Sequence, residues 1–264
     1  MRTSAQLRPA DWSHSETIYQ DQDHRFIWLG WEEEEDEGMV QTNQYLIIHK
    51  GEGILLDPGG VQVFPRVIGN VAQHIDIARI RHIFFTHQDP DVSGGIALWA
   101  GATPAQIHLS KLWGRFVPHL GQVDESRFTS VDDRGGVIAL PGMELQLIPS
   151  HFMHSVGCLS LWDPRARILF SGDVGTAVFP PNDRYLRVEN FDRHRQRMEG
   201  FHRRYMVSQS VCRRWVGMVR RLEPQIIAPQ HGAIFPAPAI APFLSWLENL
   251  RCGIDLLDDW YGAA

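Results

Sequence analysis

The sequence predicts an α/β protein, a four-layer α/β/β/α sandwich with a functional site in the cleft between its two sheets. Three observations lead there. Apolar β-type runs and segments of helical period recur in two successive sets along the 264 residues. Four of the apolar runs stop abruptly at a His or an Asp. No linker or low-complexity tract divides the chain, so residues 1–264 read as a single domain.

Residues 1–24 are polar and weakly patterned, a lead-in strand or loop, and 25–30 (Arg-Phe-Ile-Trp-Leu-Gly) read as a strand. The acidic run 32–37 reads as a solvated, self-repelling loop. Strands at 43–49 and 53–57 are joined by Lys50-Gly51-Glu52, a hairpin signal, and end in Asp57-Pro58-Gly59-Gly60. Val67, Ile68, Val71 and Ile75 give 64–75 a helical face, which returns the chain to a strand at 81–86. A short helix at 93–100 follows, and its Gly94-Gly95 pair permits close backbone approach.

Next come a strand at Gln106–Ser110 and a helix at 111–120, then strands at Phe128–Val131, 137–140 and Met143–Pro149. A hairpin at 159–170 turns on Asp163-Pro164-Arg165-Ala166. Residues 191–222 read as one long helix, with Phe201, Tyr205, Val211, Trp215, Met218 and Val219 on the buried face and arginines on the wet face. An amphipathic helix at 242–260 closes the fold.

Composition excludes some functions. With 44% hydrophobic and 21% charged residues the chain is an ordinary globular one, and a net charge of −6 gives no reason to expect nucleic acid as a partner. No apolar run approaches the roughly eighteen residues of a membrane span, and the N-terminus lacks the apolar core of a signal peptide. Cys158, Cys212 and Cys252 are odd in number and lack metal-type spacing, so they read as reduced structural thiols of a cytoplasmic protein.

The chemistry concentrates after the strand at 81–86. Ile83-Phe84-Phe85 ends at Thr86-His87, and His87, Asp89 and Asp91 follow at every second residue in a loop stiffened by Pro90. Alone, these are a strand-capping histidine and two solvated turn aspartates. The same pattern returns elsewhere, however: His154 follows the run at 144–149, Asp173 follows 169–172, and His231-Gly232 follows 226–229. Turn chemistry explains one such ending well and four poorly. Strand ends are where a rigid sheet presents ligands.

The order His-x-Asp-x-Asp, His154, Asp173, His231-Gly232 resembles the metallo-β-lactamase fold, and within it the flavodiiron proteins and their stand-alone relatives, the oxygen-binding di-iron proteins. The resemblance spans about residues 44–234, with sixty-two residues between Asp91 and His154 and eighteen between His154 and Asp173. It implies two iron ions joined through Fe–O–Fe or a carboxylate. His87, Asp89 and His154 would hold one iron, Asp91 and His231 the second, and Asp173 would bridge. Asp57 would support the site from beneath. Zinc hydrolases of the superfamily carry His-x-His-x-Asp-His, whereas this chain has Asp89 at the second histidine and Val92 at the last. More carboxylate and less imidazole favours iron or manganese over zinc. Valine cannot ligate, which leaves positions open for O2 or NO. Flavodiiron proteins often carry Glu where this chain has Asp89.

Several neighbours have possible supporting roles. His151 would orient a ligand or donate a proton to dioxygen, Phe152 and Met153 would form a dry wall, and Thr86 and Ser155 offer hydroxyls. His82, inside a strand, reads as a packed histidine.

The expected function is a non-haem di-iron protein binding, and possibly reducing, O2. No flavin is expected within this chain, so it would act as an oxygen sensor or carrier, or as a reductase served by a separate electron donor. Expected partners are O2 or NO, a separate redox or signalling protein and a second copy in a homodimer, with neither nucleic acid nor membrane. The alternative is a di-metal hydrolase, in which a metal hydroxide attacks an ester, lactone, thioester or phosphodiester.

Overall fold

A computed structural model describes residues 12–32, 39–180 and 182–262. The acidic run 32–37 therefore lies outside the described residues except for Glu32, as does most of the N-terminal lead-in. The strands are β1 (Glu16–Gln20), β2 (His24–Trp28), β3 (Tyr45–His49), β4 (Glu52–Leu56), β5 (Ile80–Phe84), β6 (Gln106–Ser110) and β7 (Phe128–Val131), which pair in that order as one seven-stranded sheet. A second, six-stranded sheet runs β13-β12-β11-β10-β9-β8, from β8 (Gly136–Leu140), β9 (Met143–Pro149), β10 (Leu159–Asp163), β11 (Ile168–Gly172), β12 (Ile226–Pro229) and β13 (Phe235–Pro236). In each sheet, strands that deliver site residues are paired in parallel, β4 with β5 and β11 with β12, so their C-terminal ends lie side by side.

Three apolar clusters account for the layering. Phe26, Tyr45, Ile54 and Phe84 of the first sheet face Leu147, Leu161, Ile168 and Phe170 of the second. The other face of the first sheet packs Leu55, Ile83 and Ile107 against Val67 and Val71 of α1 (Phe64–Ala72), Val92 of α2 (Pro90–Ser93) and Trp99 of α3 (Ile96–Ala102). The outer face of the second sheet packs Leu169 and Ile227 against α4 (Phe191–Tyr205), α5 (Gln209–Leu222) and α6 (Ala237–Glu248). The result is the expected α/β/β/α sandwich. Strands buried on both faces read as near-continuous apolar runs, as β3, β10 and β11 do.

Polar links cross the interior. His24 Nε2 lies 2.7 Å from Asp163 Oδ2 and His24 Nδ1 lies 3.2 Å from His49 Nδ1, all three side chains being buried. At the opposite end, buried Asn43 accepts from the indole N–H groups of Trp28 and Trp31 (3.0 and 2.5 Å) and donates to the carbonyls of Pro229 and Gly232 (both 2.9 Å).

Helices differ from expectation in four places. The long helix at 191–222 is two, because tertiary partners capture the backbone between them. Val207 N–H donates to Phe152 O (3.1 Å), Ile254 N–H donates to Val207 O (2.9 Å), and Gln209 N–H donates to Asp255 Oδ2 (2.7 Å). The helix at 93–100 is split by Gly94-Gly95, where Gly95 N–H donates to Gly59 O (3.1 Å) and a Cβ would lie 2.6 Å from that carbonyl oxygen. Residues 111–120 form two short 3-10 turns, Lys111–Trp113 and Val117–Leu120. The closing helix is α6, followed by a 3-10 turn at Gly253–Leu256 and α7 (Leu257–Tyr261).

Asn43→Leu fits the volume but strands two indole donors and the Gly232 carbonyl in the interior, Pro229 O keeping only its bond from the Tyr45 hydroxyl. It is expected to lower unfolding stability by about 2–5 kcal/mol, read as a fall in the urea midpoint at constant slope.

Candidate metal centre

Each sheet contributes three of the six expected ligands. Just past β5 the chain turns through His87 and Asp89 into α2, whose first turn carries Asp91. The second sheet supplies His154 from the loop between β9 and β10, Asp173 directly after β11 and His231 directly after β12. A backbone hydrogen bond from Leu159 N–H to Thr86 O (2.9 Å) ties the two sheets together at this end.

All six side chains converge, and they sort into two groups around Asp173. Its Oδ2 lies 3.7 Å from His87 Nε2 and 3.5 Å from His154 Nε2; Asp89 Oδ2 lies 3.7 and 2.8 Å from the same two nitrogens. Its Oδ1 faces the other way, 3.5 Å from His231 Nε2, which is 3.2 Å from Asp91 Oδ2. Atoms of His87, His154 and Asp173 all lie within 4.8 Å of one another, close enough to converge on one ion, while His231 and Asp91 flank the other oxygen of Asp173. Asp173 is buried, and its Oδ1 has no hydrogen-bond partner within the protein. Among the described residues no lysine or arginine pairs with Asp89, Asp91 or Asp173; their partners are the three histidines, with the Gln88 amide on Asp89 (2.9 Å) and the Gln230 amide on Asp91 (3.5 Å). The donor set therefore fits hard or borderline cations and is short of positive charge without them.

Electrostatics carry the same signature. Burial pushes the His87 imidazole down despite the nearby carboxylates. Burial works against protonation of His231 as well, but its hydrogen bond to Asp91 and the charges of Asp173 and Asp91 outweigh this and hold it up at about 9. Burial alone would raise Asp89 and Asp91, yet bonds with His154 and His231 keep both carboxyls below their ordinary range. The site attracts a cation strongly enough to pull protons onto its own imidazole.

Other residues set the shape of the ligand turns. Thr86 Oγ1–H donates to Asp57 Oδ2 (2.5 Å), Thr86 N–H donates to Asp57 Oδ1 (2.8 Å), and His87 Nδ1 lies 2.9 Å from the same hydroxyl oxygen. With that hydrogen committed to Asp57, the hydroxyl must accept from His87 Nδ1–H, leaving the Nε2 lone pair facing Asp89 and Asp173, free to ligate a metal. Asp57 thus supports the site from beneath; its burial pushes its carboxyl up to about 8. His231 Nδ1–H donates to Gln41 O (2.8 Å), again freeing Nε2. Gly175 N–H donates to Nε2 of buried His202 (3.0 Å), fixing the turn after Asp173. Neither His202 nor Asn43 carries a sequence signal for this, since both act across the fold.

A cavity of about 410 Å³ opens over the cluster, lined by Asp89, Asp91, His154, Asp173 and His231 together with Val40, Thr176, Val178, Gly200, Phe201, Arg204 and Tyr205. Its aromatic wall comes from α4: Phe201 and Tyr205 stack at 4.5 Å, and Tyr205 lies 5.0 Å from the His154 ring. This corrects the expectation for Phe152, which is 46% exposed at a positive φ of 66° and does not line the cavity; buried Met153 lines a small void against His87, His154 and Asp173. The i, i+4 spacing of Phe201 and Tyr205 was the available signal, and it read as plain core.

His151 does not line the cavity either. Its Nε2 lies 2.7 Å from Asp133 O and its Nδ1 accepts from Gly157 N–H (3.1 Å), so it holds the His154 loop and has no free nitrogen to offer a ligand. Val92 is fully buried in the outer apolar cluster and is not among the lining residues. Ser155 bonds to Gln88 and Cys158 rather than to a ligand, and burial pushes the Cys158 thiol up to about 12, far from thiolate chemistry. His82 is a packed histidine, its Nδ1 3.0 Å from His108 Nε2.

Residues 40–232 match the family described as ODP family beta lactamase. The chain belongs to the ODP family. A structure described as the peroxy diiron species of a chemotaxis sensor ODP is 49% identical, with 93% of this chain and 99% of that chain covered and a TM-score of 0.85. The apo state of the chemotaxis sensor ODP from T. denticola is also 49% identical, covering 93% and 98%, with a TM-score of 0.83. Rubredoxin oxygen:oxidoreductase from Desulfovibrio gigas, at 16% identity over 88% of this chain and 62% of that one, has a TM-score of 0.72 and shares the fold. No curated protein matches. Family and metallo-β-lactamase-like fold are thus those the ligand motif implied.

In this ODP-family chain, Thr86→Val keeps the volume but removes the acceptor that orients His87. Metal affinity is expected to fall about 10- to 100-fold, measured by competition with a chelator, with Thr86→Ser restoring it.

Proposed function

We propose that this protein is a non-haem di-iron protein that binds O2, with His87, Asp89 and His154 holding one iron, Asp91 and His231 the other, and Asp173 shared. The observation that carries the reading is the division of Asp173, one oxygen toward each group of donors. The carboxylate share of the donor set supports iron over zinc. Support for O2 comes from the 49% identical relative, described as a peroxy diiron species. That relative is a chemotaxis sensor, which supports sensing over reduction as the role of this chain. A reductase role requires a separate electron donor. We also read residues 1–264 as a single metallo-β-lactamase-like domain, since the chain covers 99% of that relative.

When bound, a ferrous pair supplies the electrons that dioxygen chemistry needs. The protein's own residues supply the rest. Thr86 and the Gln41 carbonyl aim two imidazole Nε2 atoms into the cluster. Phe201, Tyr205 and Val178 limit water over it, and Arg204 places a cation at the rim. Partners beyond the ligand are proposed only as classes, a signalling or redox protein and a second copy of the chain.

The test is metal content of anaerobically purified protein, with absorption spectra before and after air. Near two irons per chain and a new visible band on aeration are expected. Zinc at both positions with no spectral change would instead favour the hydrolase. Asp173→Ala is expected to lose metal and oxygen response together; full iron content in that variant would end the shared-carboxylate assignment.

A further inference from the structure

The three cysteines, alike in the sequence, separate in the structure. Cys158 has Ser155 as its partner. Cys212 on α5 and Cys252, at the start of the 3-10 turn Gly253–Leu256, face each other, Sγ to Sγ at 3.8 Å and forty residues apart in sequence. Both are buried, and the Cys252 sulfur also accepts from Asp255 N–H. The contact with Cys212 holds the Cys252 thiol below its usual range against the effect of burial. The same contact, with burial, pushes Cys212 up. Cys252 is therefore the readier thiolate and nucleophile of the two.

The pair stands beside the break between α4 and α5. Ile254 N–H donates to Val207 O and Gln209 N–H to Asp255 Oδ2, so residues 252–255 clamp the break. Gly253, at φ 52°, lies so close that a Cβ would sit 2.3 Å from the carbonyl oxygens of Met206 and Val207. Val207 N–H in turn donates to Phe152 O in the loop that carries His154, and α4 ends here just after Phe201 and Tyr205. The aromatic wall and one ligand loop of the cavity thus hang from this junction. Cys252 follows exposed Arg251, and two residues on Ile254 is 59% exposed, so local opening of one short surface turn admits a small neutral oxidant. The two sulfurs, 3.8 Å apart, need to approach by roughly 1.8 Å to reach a bond of about 2.05 Å.

We propose that Cys212 and Cys252 are a reversible dithiol–disulfide pair, oxidised by hydrogen peroxide, that staples α5 to the turn clamping the α4–α5 break. This goes beyond the di-iron reading and does not depend on it. The Cys252 thiolate attacks one peroxide oxygen, the O–O bond breaks, and the other oxygen leaves as water after taking up a proton, giving a sulfenic acid. The Cys212 sulfur then attacks the Cys252 sulfur, the S–OH bond breaks, the S–S bond forms, and a second water leaves with the Cys212 proton. Two thiols lose two electrons and two protons, and one peroxide takes up both.

The test uses reduced full-length protein treated with stoichiometric hydrogen peroxide, followed by thiol labelling after denaturation, peptide mapping and a thermal melt. The expected result is a peptide joining Cys212 to Cys252, with Cys158 still labelled and all three thiols recovered with dithiothreitol. The unfolding midpoint should rise by about 5–10 °C in the oxidised form. Cys212→Ser and Cys252→Ser should each lose both the joined peptide and the rise. Three labelled cysteines after peroxide overturn the proposal, as does a disulfide that uses Cys158 or joins two molecules. A joined peptide with no rise in midpoint overturns the staple. The wild-type readouts decide the matter even where a variant fails to fold.

Discussion

Three carboxylates share one cavity with no lysine or arginine paired to them among the described residues, and the site end of the structure is organised around that imbalance. Asp89, Asp91 and Asp173 meet imidazoles and neutral side-chain amides, not fixed cations. Taking such charge out of water is unfavourable unless it is paired or bound to metal. The imidazoles answer in part, as the elevated His231 shows. Full compensation needs cations among these donors, which His87, His154 and Asp173 lie close enough together to share. Since three ligands come from each sheet, the same ions would join the halves of the sandwich, coupling metal affinity to fold stability.

The fold keeps this cluster at one end of a well-packed frame. The apolar layer between the sheets stops where the strands end, and the space past it is polar. At the other end, buried His24, His49 and Asp163 form a closed set of their own. Its members already use one another, whereas the donors of the metal centre point at shared empty volume. That difference, rather than residue type, separates a candidate site from an internal bond.

Much of this was legible in the sequence. The six candidate ligands stood out because each follows an apolar strand, a pattern of period and abrupt ending that survives without structure. Gly94-Gly95 was legible for a local reason: a side chain at either would strike a neighbouring carbonyl. What stayed hidden was long-range. Phe201 and Tyr205 have the spacing of a core face, and only the packing of α4 over His154 makes them a cavity wall. The break at 206–208 lacks proline or glycine; its backbone is claimed by Phe152, Ile254 and Asp255, distant in sequence.

Each ligand-bearing turn has a brace that is not itself a ligand. Asp57 holds the turn before His87, Asn43 the turn around His231, His202 the turn after Asp173 and His151 the loop of His154. Shape and chemistry are thereby written into different residues. A mutation at a ligand position alters which ion is held while the turn that presents it keeps its form, and a brace can be conserved through such a change. A scaffold built this way can drift from one metal chemistry to another by single replacements without passing through an unfolded ancestor.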